Sequence, residues 1–108
     1  MSLNLHKLLP IYKFKISGNS MSPTLAPGDS VLVSRLSYLI ARPKLGQIIA
    51  LKDPRDRKVL IKRISEIKNE QYFVLGDNES ASTDSRSFGW IEKRDIIGKV
   101  IYNSKVKI

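Results

Sequence analysis

The sequence predicts a mostly β fold, a single-domain folded sheet or barrel with at most one or two short helices. Three observations carry this expectation. Short stretches of alternating apolar and polar residues recur along the chain, clusters of turn formers separate them, and no stretch holds a 3.6-residue apolar period over the length of a helix. A chain of 108 residues has room for one hydrophobic core. One domain over 1–108 is therefore expected, with residues 1–10 a flexible or loosely packed N-terminal segment.

Taken in order, the predicted strands are 11–16, 30–34, 47–51, 58–64, 71–75 and 96–102, each rich in Ile, Val, Leu or aromatic residues. Between them stand Pro27-Gly28-Asp29, Lys44-Leu45-Gly46, Asp53-Pro54-Arg55-Asp56 and Gly76-Asp77-Asn78, which are turn signals. One short helix is expected over Arg35 to Ile40.

Composition narrows the chemistry. The chain is 42% apolar and 27% charged, which excludes both a disordered segment and a membrane-embedded bundle. It has no cysteine and one histidine, His6, so disulfides, thiol catalysis and zinc sites built on Cys or His fall away together. No cofactor or metal is expected, and any chemistry must come from Ser, Lys, Asp and Glu.

The formal charge of +9 is spread from Lys7 to Lys107 without a basic block. Nucleic-acid binding is therefore not expected, and peripheral contact with an anionic membrane surface is the favoured consequence of the charge. No apolar run reaches the roughly 20 residues of a membrane-crossing helix. The best stretch, Leu3 to Ile11, is interrupted by Asn4, His6, Lys7 and Pro10. The chain as written is expected to stay on the side of the membrane where it is made: cytoplasmic if whole, membrane-associated if it processes exported proteins.

Three constellations stand out. Residues 18–29 follow a predicted strand, with Gly18 allowing a bend and Pro23 suited to the first position of a helical turn that leaves backbone N–H groups near Ser20. A serine hydroxyl is a weak nucleophile unless a base takes its proton, and the same residues also read as an ordinary polar loop. With histidine set aside, lysine is the remaining base. From a reference near 10.4 its pKa must fall by about two or three units, worth roughly 3–4 kcal/mol.

Lys62 meets that requirement best. In a strand its same-face neighbours are Leu60 and Ile64, while Val59 and Ile61 alternate to the other face, and adjacent Arg63 is expected to add to the effect of burial. The alternative is an edge lysine whose amine reaches water along its own stem. Third, residues 76–89 combine turn formers and hydroxyls; Asp84 and Arg86 fall on one side of an extended chain and are expected to pair.

Read together, "SGNSMSPTLAPGD" around Ser20, "GQIIALKDP" from Gly46, "IKRI" around Lys62 and "GDNESASTDSRSFG" from Gly76 to Gly89 resemble, in order, the type I signal peptidases of bacteria and organelles. The resemblance implies a serine endopeptidase with Ser20 as nucleophile and Lys62 as general base, cutting a signal or leader peptide after a small residue. It also implies Ser82 as the hydroxyl that holds the lysine amine, Asp84 with Arg86 as a structural ion pair, and Gly18, Asn19 and Met21 around the oxyanion or substrate. Gly18 stands where some members carry a serine that assists the oxyanion, so that donor must come from backbone.

The 108 residues hold no anchor-length apolar stretch and leave no room for the large extra β-domain of some members, so something close to a minimal catalytic core is expected. Removal of signal peptides from exported proteins therefore competes with a second role, soluble maturation of one enzyme, as in the small proteases of nickel superoxide dismutase. Self-cleaving repressors, which also use Ser and Lys, cut Ala-Gly or Cys-Gly bonds, and neither dipeptide occurs here. A basic β-barrel binding module is the non-enzymatic alternative.

Overall fold

The computed structural model describes residues 11–104. The reading of residues 1–10 as a loose segment, and His6 with it, lies outside the described residues. The elements are β1 (Ile11–Lys15), β2 (Ser30–Ser34), α1 (Ser37–Ile40), β3 (Ile48–Lys52), β4 (Val59–Lys68), β5 (Gln71–Leu75), α2 (Ser85–Phe88), β6 (Ile91–Glu92) and β7 (Ile96–Asn103). All strands join one sheet in the order β1-β2-β7-β3-β4-β5-β6, and every neighbouring pair is antiparallel.

The mostly β expectation holds, and the two α-helices are four residues each. β3 explains how one sheet makes a core on both faces. Its run Ile48-Ile49-Ala50-Leu51 is wholly buried, as expected of a central strand covered on two sides. Ile48 and Ala50 join Met21, Leu25, Val31, Val33 and Val100 in one apolar cluster. Ile49 and Leu51 join Tyr38, Ile64, Tyr72, Val74 and Ile91 in the other.

Strand β1 lies at one end of the sheet order, with three strands between it and β4. Residues 14–17 and 59–62 nevertheless line the same cleft. The sheet must curl into a half-barrel for this to happen, consistent with irregular register between Leu32 and Val33 and between Ala50 and Leu51.

Several boundaries differ from expectation for identifiable reasons. β4 runs on to Lys68, because residues 63–68 form a hairpin with β5 that contains a register shift between Ile64 and Glu66. That bulge breaks the apolar alternation, and the turn places Asn69 (φ 51°) and Glu70 (φ 62°) in left-handed conformations without a glycine to announce it. The expected surface loop after β5 holds α2, capped at its start by the Asp84 side chain and closed at Gly89 with φ 81°. The helix expected from Arg35 begins at Ser37.

Candidate active site

Ser20 lies on the connection between β1 and β2. The base of this loop is clasped by Ile16 N–H to the Asp29 carbonyl (2.8 Å) and Gly28 N–H to the Ile16 carbonyl (2.9 Å). Met21 and Leu25 anchor it, at 1% and 0% exposure. Between those anchors the chain turns sharply: Gly18 has φ 79°, Ser22 N–H bonds the Asn19 carbonyl and Leu25 N–H bonds the Met21 carbonyl. Pro23 does not begin a helical turn as expected; it follows a cis peptide bond within this hydrogen-bonded bend.

A second loop grips the first. Asn78 donates its backbone N–H to the Ser20 carbonyl (2.8 Å) and its side-chain amide to the Asn19 carbonyl (3.1 Å). Thr24 donates to Asp77 at 2.6 Å. Gly76 is where the two loops touch most closely, because a Cβ there would lie 2.6 Å from the Ser20 carbonyl oxygen and would collide with the Ser82 side chain. The sequence marks Gly76, Asp77 and Asn78 as turn formers and as the start of the fourth motif, with no role of their own at the site. The signal available was their place directly after a strand, opposite a serine loop.

Lys62 is 3% exposed, and its Nζ donates to Ser20 Oγ at 2.9 Å across 42 residues of sequence. Burial pushes its pKa below the ordinary lysine value, and the negative charge of Asp84 opposes that shift. Arg63 does not assist as expected. Its guanidinium forks onto Asp77 (2.9 Å for each arm) and bonds the Gly46 carbonyl, so its charge is already engaged.

Asp84 and Arg86 pair as the sequence suggested. Asp84 is fully buried, and its carboxylate accepts from Gly76 N–H, Ser82 Oγ, Arg86 N–H, Arg86 Nε and Arg86 Nη2 at 2.7–3.1 Å. Burial alone would raise its pKa, yet these donors, Arg86 first among them, hold it well below the usual carboxylate range. The proton of the Ser82 hydroxyl is thus directed to Asp84, at 2.7 Å.

The cleft over Ser20 and Lys62 has a volume of about 180 Å³. Residues 14–17 form one wall and residues 59–62 the other, with Ser20 and Met21 between them. Gly18 and Asn19 shape the bend and do not line this cleft. Larger hollows lie elsewhere on the surface, but neither contains a hydroxyl and an amine in contact.

The fold and cleft have a clear class among known proteins, that of the peptidases. The family model described as signal peptidase, peptidase S26, matches residues 5–66 and 64–104. The chain belongs to this family. It is 26% identical to signal peptidase I V of Bacillus subtilis (strain 168), over 81% of this chain and 82% of that one. To the mitochondrial ATP-independent inner membrane protease subunit 1a of Arabidopsis thaliana it is 31% identical, over 80% of this chain and 66% of that protein. The probable signal peptidase I-2 of Synechocystis sp. is 24% identical over 78% of this chain and 58% of its own. Against these last two, the chain spans about two thirds of their length or less.

Proposed function

We propose that the chain is a serine endopeptidase that removes N-terminal signal or leader peptides after a small residue, with Ser20 as nucleophile and Lys62 as general base. One observation carries the proposal: a buried lysine amine, its pKa lowered by desolvation, 2.9 Å from a loop hydroxyl. That distance is within direct proton-transfer reach.

In the proposed reaction neutral Lys62 takes the Ser20 proton as Oγ bonds to the scissile carbonyl carbon, and the carbonyl electrons move onto oxygen. The backbone N–H of Ser20 stabilises this oxyanion, Gly18 offering no hydroxyl for the task. Collapse breaks the C–N bond while the Lys62 ammonium protonates the departing amine. Lys62 then takes a proton from water as the water attacks the ester, and returns it to Ser20 Oγ when the new carboxyl group leaves. Ser82 Oγ donates its proton to Asp84, and its proposed role is to accept from the Lys62 amine during the reaction, a bond not made among the described residues, where Nζ bonds Ser20 Oγ.

The strand edges support how a substrate would lie. β1, β7 and β4 run in the same direction, since each neighbouring pair in the order is antiparallel. Residues 59–62 of β4 pair with β3 on one side, and β5 takes up pairing on the other side only from Arg63. An extended leader segment enters between β1 and this edge as an added strand. The small cleft bounded by Ile16, Met21 and Leu60 then takes a small side chain just before the cut.

Ser20→Ala and Lys62→Ala should each reduce cleavage of a leader-type peptide by at least about a thousandfold while the circular dichroism spectrum stays that of the parent. Retained turnover in either folded variant would remove the proposal.

A further inference from the structure

A second hollow, of about 460 Å³, adjoins the reaction cleft: Phe14 of β1 and Val59 at the start of β4 line both. Its apolar surface comes from Tyr12, Phe14, Val59 and Ile97. Its charged lining is one-sided: Arg35, Lys52, Arg57 and Arg94 face a single carboxylate, that of Asp95.

The carboxylate is already engaged. Asp95 Oδ1 accepts from Arg57 at 3.2 Å and Oδ2 from Glu92 N–H at 3.0 Å. Arg94 pairs with exposed Glu92 at 2.8 Å. Among the described residues no carboxylate pairs with Arg35 or Lys52, and both are exposed. Charges of one sign converging on an apolar-walled groove raise the local concentration of an oppositely charged ligand and repel a like one.

We infer that this groove is a distal subsite for acidic side chains of the substrate's leader, on the upstream side of the cut. The inference rests on the proposed peptidase reading, which puts the residue before the cut in the cleft at Ser20 and the preceding residues along β1 and β4. From Lys62 back to Val59 is three residues, roughly 10 Å of strand. Arg57 is two residues further back, and Lys52 is the register partner of Val59. The acidic positions are therefore about four to seven residues ahead of the cut. An enzyme built this way discriminates against leaders whose lysines or arginines fall in that window.

The test uses fluorogenic peptides that share alanines at the cut and two residues before it and differ only in three consecutive residues at positions four to six upstream: Glu, Gln or Lys. At low salt the full chain should cleave them in the order Glu, Gln, Lys, with kcat/KM differing by about tenfold between the extremes, and 0.5 M NaCl should compress the spread. Lys52→Glu, an exposed substitution, should invert or abolish the order.

Binding of the same peptides, labelled, to the Ser20→Ala protein gives a readout that needs no hydrolysis. Equal cleavage of all three peptides, or a preference for Glu placed only after the cut, overturns the subsite. Glu-selective binding without cleavage by the parent protein upholds the subsite and sinks the peptidase reading. Neither selective binding nor cleavage overturns both.

Discussion

Lys62 and Asp84 are both shut off from water, at 3% and 0% exposure, and their surroundings treat their charges in opposite ways. The Asp84 carboxylate meets five donors, from Gly76, Ser82 and Arg86. Among the described residues Lys62 Nζ has one acceptor, the Ser20 hydroxyl, where an ammonium has three protons to place. A buried charge is tolerated when its hydrogen bonds are satisfied and is pushed toward neutrality when they are not. The contrast separates a group held ionised to fix a loop from one held ready to accept a proton. Because Asp84 also raises the Lys62 pKa, Arg86 helps by engaging the carboxylate that opposes the lysine's neutral form.

The largest expected break in this contrast is Asp84→Ala. It leaves the Gly76 N–H and the Ser82 hydroxyl without their acceptor inside the protein and removes the cap of α2. A loss of about 3 kcal/mol in unfolding free energy is expected, read from a urea titration. The pH dependence has a definite sign. The folded-state pKa of Asp84 is depressed, so its stabilisation is full above the unfolded value near 3.9 and is lost as pH falls below it toward the folded pKa. The parent should therefore lose stability in acid more steeply than the Asp84→Ala protein. Equal acid sensitivity would mean that other carboxylates govern acid unfolding.

Lys62→Met, which keeps apolar volume and removes the amine, should act the opposite way on stability and abolish cleavage. The folded pKa of Lys62 is lowered. Between that value and the unfolded value near 10.4 the unfolded chain holds more protons, so the parent's stability rises with pH through this window. Cleavage rises over the same interval as the amine becomes neutral. In Lys62→Met the alkaline rise disappears, and at neutral pH the variant is more stable by about 1 kcal/mol or more. A variant less stable than the parent at neutral pH would show that the lysine is well served where it lies.

How much of this was legible in the sequence follows from what each residue depends on. Apolar patterning marked six of the seven strands, by a period of two where one sheet face is buried, as in β5, and by a continuous apolar run in β3, which is buried on both. It missed β6, two residues long, and stopped short in β4, where the bulge after Ile64 shifts that period. Lys62 was legible from Leu60 and Ile64 beside it in the chain. Its contact with Ser20 was not legible from periodicity, since it depends on the curl that brings β1 round to β4; the order of four motifs suggested it instead. The true partner of Arg63 was invisible for the same reason: adjacency in sequence put its charge next to Lys62, whereas Asp77 engages it through a turn 14 residues on.

The smallest expected effect concerns the two loops that hold Ser20 rather than either buried charge. Thr24 Oγ1 donates to Asp77 at an exposed lip, and Thr24→Val removes that bond with little change in volume, at a cost of about 0.5–1.5 kcal/mol. The bond keeps the Ser20 loop against the turn at Gly76, so its loss widens the distribution of distances between Ser20 Oγ and Lys62 Nζ. A fall in kcat of severalfold with KM unchanged is expected, because alignment of the reacting groups suffers before substrate contact does. Asn78→Ala removes the amide bond to the Asn19 carbonyl on the same loop, and the two substitutions should be non-additive in kcat if both act through one motion of that loop. An unchanged kcat in Thr24→Val would assign the positioning of Ser20 to the core anchors Met21 and Leu25 alone, leaving the turn at Gly76 as a brace for Asp84.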